Sequence, residues 1–186
     1  MLAFVGLGSN MPGEVASVDA QLVRAASLLE DSGAGRIVEH SRMYATPPWG
    51  VYEQDEFRNA VIAVETELEP LDFLHACQDV EQAAQRVRDV RWGPRTLDVD
   101  IISYGGLHMD EPELVLPHPR AGQRAFVLAP WARMDPDAQL DGIRVAALAE
   151  TIAAQVGADV GIGCVGIGRL DRLVFRREDA SGVLEF

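Results

Sequence analysis

The chain has 186 residues, 48% of them hydrophobic and 24% charged, a composition that excludes a disordered chain and fits one globular domain with a sizeable core. Its net charge of −13 makes nucleic acid and anionic lipid poor partners, because their binding usually rests on a basic surface. No apolar run approaches the ~20 residues of a membrane-spanning helix, and the first residues lack the basic flank of a signal peptide. We expect a cytoplasmic monomer without membrane or nucleic-acid partners.

The basic residues are all arginine: there are 16 of them and no lysine. This absence excludes a Walker A loop, a protein-kinase site and Schiff-base chemistry, each of which requires a lysine side chain. The two cysteines, Cys77 and Cys164, have no C-x-x-C spacing and no nearby pair of histidines. We therefore expect buried thiols rather than a zinc site or a disulfide.

Hydrophobic periodicity and turn residues predict six elements before residue 103. They are a strand over 2–8, a helix over 13–29, strands over 36–44 and 57–68, a helix over 70–86 and a strand over 97–102. The order β-α-β-β-α-β is typical of a ferredoxin-like α+β fold, in which two helices cover one face of an antiparallel sheet.

The rest of the chain adds smaller elements to this core. After Gly105 and Gly106 we predict a short extra hairpin, and then additional helices over 126–134 and 144–156 that flank the sheet. Residues 1–160 form one domain in this interpretation, and 161–186 form a glycine-rich tail without an assigned role. The tail contains a G-x-G-x-x-G spacing, which we do not interpret as a dinucleotide site because it does not follow a strand and open a helix.

Two aspartates stand two residues apart in the fourth predicted strand. Side chains alternate between the faces of a strand, so Asp98 and Asp100 point the same way, with Cα atoms roughly 7 Å apart. Leu97, Val99 and Ile101 then face the core. Magnesium takes one or two carboxylates from a protein and completes its shell with water and phosphate oxygens. The pair therefore predicts a magnesium site that needs a phosphorylated ligand.

Four arginines crowd the segment just before this strand: Arg86, Arg88, Arg91 and Arg95. Guanidinium groups fork onto phosphate oxygens, and a segment closed by Gly93 and Pro94 suits a mobile loop that ends at a fixed turn. For an isolated D-x-D, a solvated strand face would be the better interpretation. The neighbouring arginines favour a phosphate site instead.

The run R-W-G-P-R-T-L-D-V-D-I-I resembles the signature of the 6-hydroxymethyl-7,8-dihydropterin pyrophosphokinase family of folate biosynthesis. Further motifs occur in the family's order: V-G-L-G-S-N at 5–10, T-P-P-W-G at 46–50, F-R-N-A at 57–60, and L-P-H-P-R at 116–120 followed by R-A-F at 124–126. Together they cover roughly residues 1–155. Five such matches in order make coincidence a poor explanation.

This resemblance implies a ferredoxin-like pyrophosphokinase domain that transfers pyrophosphate from ATP to the hydroxymethyl group of a reduced pterin and releases AMP. Its partners would be these two small molecules, and its cofactor would be Mg²⁺, with two ions expected. The metal ligands would be Asp98 and Asp100, and the catalytic residues Arg86, Arg95, Asp98 and Asp100.

The same motif matching assigns the substrate contacts. On the ATP side the resemblance implies Gln78, Glu81, Arg86, Arg88, Arg95, Ile101, Leu114, His118 and Arg124, with Ile101 and Leu114 acting through their backbone. Around the pterin it implies Thr46, Pro47, Trp49, Phe57, Asn59, Trp92 and Phe126, with the two phenylalanines on either side of the ring.

Two other classes of protein would use part of this pattern. A two-metal nucleotidyl transferase or nuclease would also carry paired carboxylates and arginines, but its polyanionic substrate fits a charge of −13 poorly. A small-ligand regulatory module with a ferredoxin-like sheet would need no metal at Asp98 and Asp100. That alternative also leaves the arginine-rich segment and the T-P-P-W-G motif unexplained.

Overall fold

The computed structural model describes residues 1–47, 54–85 and 94–156. Its strands are β1 (Leu2–Ser9), β2 (Arg36–His40), β3 (Tyr44–Thr46), β4 (Phe57–Glu65), β5 (Asp98–Tyr104), β6 (Met109–Asp110), β7 (Val115–Leu116), β8 (Gln139–Leu140) and β9 (Ile143–Arg144). Its helices are α1 (Val18–Asp31), α2 (Pro70–Ala83), α3 (Ala125–Met134) and α4 (Val145–Val156), with a 3₁₀ turn over Ala121–Gln123.

The main sheet is antiparallel and has the order β2-β4-β1-β5, with β3 also paired to β4. This is the strand order of a ferredoxin-like fold, so the predicted fold class is confirmed. The predicted extra hairpin is the pair β6 and β7. A second short hairpin, β8 and β9, was not predicted, because its two-residue strands are too short to show a periodicity.

The sheet has a hydrophobic layer on each face. Leu22, Phe73 and Cys77 of α1 and α2 pack on one face against alternate residues of β1, β4 and β5. Leu128 and Trp131 of α3 pack on the other face, where the Trp131 ring lies 4.7 Å from the ring of Phe4. Cys77 is a free, buried thiol as expected; burial raises its pKa, and the charges of Glu81 and Asp100 raise it further, which disfavours the reactive thiolate.

Two predicted boundaries near the first turn were wrong. Helix α1 begins at Val18 rather than at residue 13, because the hydroxyl of Ser17 accepts the N–H of Ala20 and caps the helix there, and Gly13 has a φ of +61° that no helix allows. Strand β1 ends at Ser9, one residue beyond the predicted end, because the backbone of Ser9 still pairs with Arg58 of β4.

The predicted strand over 36–44 is interrupted, and two other elements end earlier than predicted. Ser41 separates β2 from β3, because its hydroxyl accepts the N–H of Val61 and takes the place of a strand residue. Strand β4 ends at Glu65, where the next side chain, that of Thr66, donates to the carbonyl of Ala34. Helix α2 ends at Ala83, since Gln85 adopts a φ of +55°.

None of the helices in the described ranges is long and apolar enough to cross a membrane. The assignment of residues 1–160 to one domain and 161–186 to a tail stays a prediction, because residues 157–186 lie outside those ranges. Cys164 lies outside them too.

Replacing Leu128 by alanine tests the layer formed by α3. The side chain of Leu128 is fully buried, so we expect Leu128→Ala to lower the free energy of unfolding by about 2–5 kcal/mol. Urea denaturation followed by circular dichroism measures this loss. Leu107→Ala is the control, since Leu107 is 40% exposed and its loss should change the free energy by less than about 0.5 kcal/mol. Equal effects would contradict the assignment of α3 to a core layer.

Candidate functional site

A cavity of about 210 Å³ lies on the face of the sheet that carries α3, beside the first residues of that helix. Strands β1, β3, β4 and β5 and the beginning of α3 all contribute to it. The lining residues are Gly6, Leu7, Gly8, Thr46, Pro47, Phe57, Asn59, Ala60, Arg95, Asp98, Asp100, Arg124, Phe126 and Val127. The structure thus brings together nine of the residues assigned from the sequence.

Two glycines of β1 form the floor of this cavity. Gly6 lies opposite Asp100 and Gly8 opposite Asp98 in the register of β1 with β5, so all four share one face of the sheet. A Cβ atom on Gly8 would approach the Oδ1 atom of Asn59 to 3.1 Å. Sequence analysis missed this role, although the G-x-G spacing in β1 repeats the D-x-D spacing in β5. The glycines leave the space that a flat ligand above the sheet would occupy.

Each aspartate is paired with an arginine. Nη1 of Arg124 lies 2.9 Å from Oδ2 of Asp100, and Nη1 of Arg95 donates to Oδ2 of Asp98. The Asp98 side chain is 18% exposed and that of Asp100 is 44% exposed. The two carboxylates therefore share one face as predicted, and each already has a cationic partner.

Each of these arginines also lies against a phenylalanine. The guanidinium carbon of Arg95 lies 5.5 Å from the centre of the Phe57 ring, and that of Arg124 lies 5.6 Å from the centre of the Phe126 ring. These distances fit cation–π contacts. The cavity thus contains two matching groups, each made of a phenylalanine, an arginine and an aspartate.

A buried amide and a buried hydroxyl complete the lining on the β3 and β4 side. The Nδ2 group of Asn59 donates to the hydroxyl of Thr46 at 2.7 Å, and both residues are less than 10% exposed. Asn59 is thereby fixed with its Oδ1 atom beside Gly8. An amide held in this way presents a donor and an acceptor in a fixed direction.

Asn10 connects the loops around the cavity. Its Oδ1 atom accepts the backbone N–H of Arg95 at 2.8 Å, and its Nδ2 group donates to Oε1 of Gln54 and to the carbonyl of Asp55. Asn10 is only 3% exposed. It therefore ties the residues before β4 and before β5 to the end of β1, a role that the sequence alone does not reveal because its partners lie 44 and 85 residues away.

Two hydrogen bonds hold His118, one through its main chain and one through its ring. The backbone N–H of His118 donates to the carbonyl of Ile102 at 2.8 Å, and the ring Nδ1 atom accepts the backbone N–H of Arg120 at 3.0 Å. Burial lowers the pKa of this imidazole, while the charge of Asp100 raises it and that of Arg124 lowers it. Burial thus favours the neutral ring, and in that form the proton would lie on Nε2, because Nδ1 accepts a hydrogen bond.

The remaining predicted residues lie away from the cavity or outside the described ranges. Glu81 is 5% exposed and accepts the N–H of Val99, and Ile101 and Leu114 place their side chains in the core. Gln78 lies half-buried on α2. The positions outside the described residues are those of Trp49, Arg86, Arg88, Arg91 and Trp92.

The donor set fits magnesium bound together with phosphate. Within residues 1–47, 54–85 and 94–156, no cluster of three or more histidine, cysteine or acidic side chains could hold a metal ion by itself. Asp98 and Asp100 are the two carboxylates that line the cavity. Two carboxylates are the usual protein share of a magnesium site whose other ligands are water and substrate phosphates.

Comparison with known proteins gives a consistent result. Residues 4–136 match the family model described as 7,8-dihydro-6-hydroxymethylpterin-pyrophosphokinase (HPPK). The chain is 44% identical over 140 residues to the 2-amino-4-hydroxy-6-hydroxymethyldihydropteridine pyrophosphokinase of Methylorubrum extorquens, covering 75% of this chain and 86% of the relative. It is 43% identical over 137 residues to the enzyme of the same name from Pseudomonas aeruginosa, covering 74% and 82%.

Solved structures resemble the fold. A crystal structure of a Plasmodium falciparum HPPK-DHPS variant with pterin and p-hydrobenzoate superposes with a TM-score of 0.64 at 14% identity, covering 83% of this chain. The chain spans about 45% of that longer protein. At this identity the likeness concerns the fold alone, whereas the family model and the relatives above match in sequence. The chain therefore belongs to the 7,8-dihydro-6-hydroxymethylpterin-pyrophosphokinase family.

Proposed function

We propose that this chain transfers pyrophosphate from ATP to the hydroxymethyl group of 6-hydroxymethyl-7,8-dihydropterin, giving the pterin diphosphate and AMP in folate biosynthesis. Its family membership supports this reaction. One observation supports particular residues: a single cavity is lined by Asp98, Asp100, Arg95, Arg124 and a pair of phenylalanines. Attack by the hydroxymethyl oxygen on the β-phosphorus forms one P–O bond and breaks the bond to the oxygen shared with the α-phosphorus.

Asp98 and Asp100 would hold magnesium, with two ions expected. When bound, these ions supply positive charge that neutralises the triphosphate and polarises the β-phosphorus. The carboxylates are suited to this because β5 and β1 hold their backbone in one register. Phosphoryl transfer requires little covalent work from a protein, so orientation and charge are the main contributions of these side chains.

The two ion pairs imply an exchange of partners when nucleotide binds. Among the described residues that line the cavity, two carboxylates and two guanidinium groups balance in charge, so divalent cations alone would add positive charge that these four side chains do not offset. A triphosphate carries about four negative charges at neutral pH, enough to attract both arginines and to free Asp98 and Asp100 for metal. Arg95 and Arg124 would then meet the phosphate charge that develops during transfer.

The aromatic rings and the amide that line the cavity suit a flat heterocycle. Phe57 and Phe126 offer aromatic faces, and Asn59 offers its fixed amide to the donor and acceptor edge of a pterin. Thr46 and Pro47 line the same cavity, and the resemblance implies that they would contact the pterin through their backbone. Trp49 and Trp92 stay predicted pterin contacts, and Arg86 and Arg88 stay predicted ATP contacts, on the strength of the family resemblance.

His118 would donate its Nε2–H to a phosphate or ribose oxygen of ATP. Its Nδ1 atom is occupied by the N–H of Arg120, which fixes the tautomer that such a contact requires. Gln78 and the backbone of Ile101 and Leu114 are proposed on the ATP side from the resemblance alone. The resemblance implies Glu81 there too, but its carboxylate accepts the N–H of Val99 in the structure. The two alternatives from sequence, a nuclease-like enzyme and a regulatory module, do not explain the family match.

The reaction is tested by separating nucleotide products after incubation with ATP, magnesium and 6-hydroxymethyl-7,8-dihydropterin. We expect AMP only when the pterin is present, and a fall in kcat of about 100-fold or more in Asp98→Ala and in Asp100→Ala. Asp110→Ala is the control, because Asp110 is exposed on β6. ADP as the product would mean an ordinary kinase, and no turnover of nucleotide would contradict the proposed function.

The exchange of ion pairs predicts opposite effects of one substitution on two ligands. In Arg124→Met, the nucleotide-free protein should bind Mn²⁺ about two- to fivefold more tightly, because Asp100 no longer has to give up an ion pair. This factor corresponds to the free energy of a partly exposed ion pair. Its affinity for ATP should fall about tenfold or more. Electron paramagnetic resonance of Mn²⁺ and calorimetry measure the two affinities. Arg133→Met, at the other end of α3, is the control. Weaker Mn²⁺ binding in Arg124→Met would contradict the exchange.

The lowered pKa of His118 predicts the direction in which the stability of the fold changes with pH. Because its pKa in the folded protein lies below the unfolded value of about 6.5, folding favours the neutral ring. This contribution is complete above pH 6.5 and is lost as the pH falls through the folded pKa. NMR titration should show His118 titrating below the value of about 6.5 of an unfolded histidine. His118→Gln should flatten the loss of stability below pH 6.5, and an unchanged slope would contradict this assignment.

A further inference from the structure

Strand β5, which carries both aspartates, lies at an edge of the main sheet. Within the described residues its partner in this sheet is β1, and its other side has no neighbouring strand. Backbone N–H groups on such an edge need acceptors, and an edge strand without them frays more easily than a central one. Val99 directs its N–H to the carboxylate of Glu81 at 2.9 Å rather than to another strand.

Glu81 reaches this edge from the last turn of α2. It is 5% exposed, and charged side chains are rarely buried so deeply unless they are hydrogen-bonded. Its carboxylate lies on the backbone of β5, and it is absent from the lining of the cavity. The family resemblance assigns Glu81 to ATP, whereas this contact gives it a partner within the protein.

Val99 is the residue between the two carboxylates. Its side chain packs into the core between the sheet and α2, on the face opposite Asp98 and Asp100. The backbone torsions at Val99 determine how far apart and at what angle the two aspartates stand. A hydrogen bond that holds the N–H of Val99 therefore acts on both carboxylates together.

We propose that Glu81 is a positioning residue, whose carboxylate holds the N–H of Val99 and thereby fixes the relative placement of Asp98 and Asp100. The effect on catalysis rests on the proposed function, while the effect on the Val99 amide does not. The length of the Glu81 side chain is the property that matters, because its acceptor oxygen must extend from α2 to the edge of β5. The negative charge of Glu81 is secondary.

Two substitutions at Glu81 separate the effect of side-chain length from the effect of charge. Glu81→Asp keeps the charge but shortens the side chain by one methylene, and Glu81→Gln keeps the length and an acceptor oxygen but removes the charge. Gln82→Asn is the matched control, because it shortens the neighbouring exposed side chain by the same amount. For each full-length variant we would measure amide hydrogen exchange at Val99, Mn²⁺ binding with ATP present, and kcat and KM for both substrates.

In Glu81→Asp we expect exchange at Val99 to rise about tenfold or more, the effect of losing a hydrogen bond to a charged group. Exchange at Ile62 in the central strand β4 should stay within twofold, Mn²⁺ binding should weaken, and kcat should fall without a matching rise in KM for the pterin. Glu81→Gln should keep the Val99 amide protected and recover most of the lost kcat. Gln82→Asn should resemble the unsubstituted protein.

The reverse order of the two variants overturns the proposal. If Glu81→Gln raises KM for ATP while Val99 stays protected, and Glu81→Asp is nearly normal, Glu81 contacts the nucleotide through its charge. Unchanged exchange at Val99 in Glu81→Asp also overturns it, even if that variant is less stable. If the unsubstituted protein forms no AMP, the proposed function fails, and the Val99 exchange still decides whether Glu81 holds the strand.

Discussion

The register between β1 and β5 is the constraint on which the candidate site depends. It sets Gly6 opposite Asp100 and Gly8 opposite Asp98, so that two residues without side chains lie beside two residues with carboxylates. A slip of one residue would send the aspartates into the core and bring Val99 into the cavity, because side chains alternate between the faces of a strand. The burial of Val5 and Leu7 on the opposite face makes such a slip costly.

Each aspartate of this site lies beside an arginine, and the positive charge offsets the free-energy cost of removing a carboxylate from water. Asp98 lies mostly out of solvent, and an isolated carboxylate there would be strongly disfavoured. The guanidinium of Arg95 offsets that cost, and the ring of Phe57 holds the guanidinium in turn. The same arrangement with Arg124 and Phe126 indicates that the cavity is built around paired charges rather than around single residues.

Sequence reasoning recovered the features that follow from local patterns. The alternation around Asp98 and Asp100 predicted their shared face, and the order of strands and helices predicted the ferredoxin-like sheet. The start of α1 was missed because a capping serine at position 17 outweighed an apolar pattern that extends further back. The hydrogen bonds that Asn10 and Glu81 accept were not visible, because the donors are backbone N–H groups that almost any residue supplies, here those of Arg95 and Val99.

The glycine floor has a consequence for inhibitors of this chain. A compound that lies flat on Gly8 contacts backbone and not a side chain, and a substitution of Gly8 that excluded it would place a Cβ atom 3.1 Å from the Oδ1 atom of Asn59. Asn59 can give way only by disturbing its bond to Thr46, and both residues line the same cavity. A variant that excluded the inhibitor in this way would also disturb the Asn59 amide that we propose as a pterin contact.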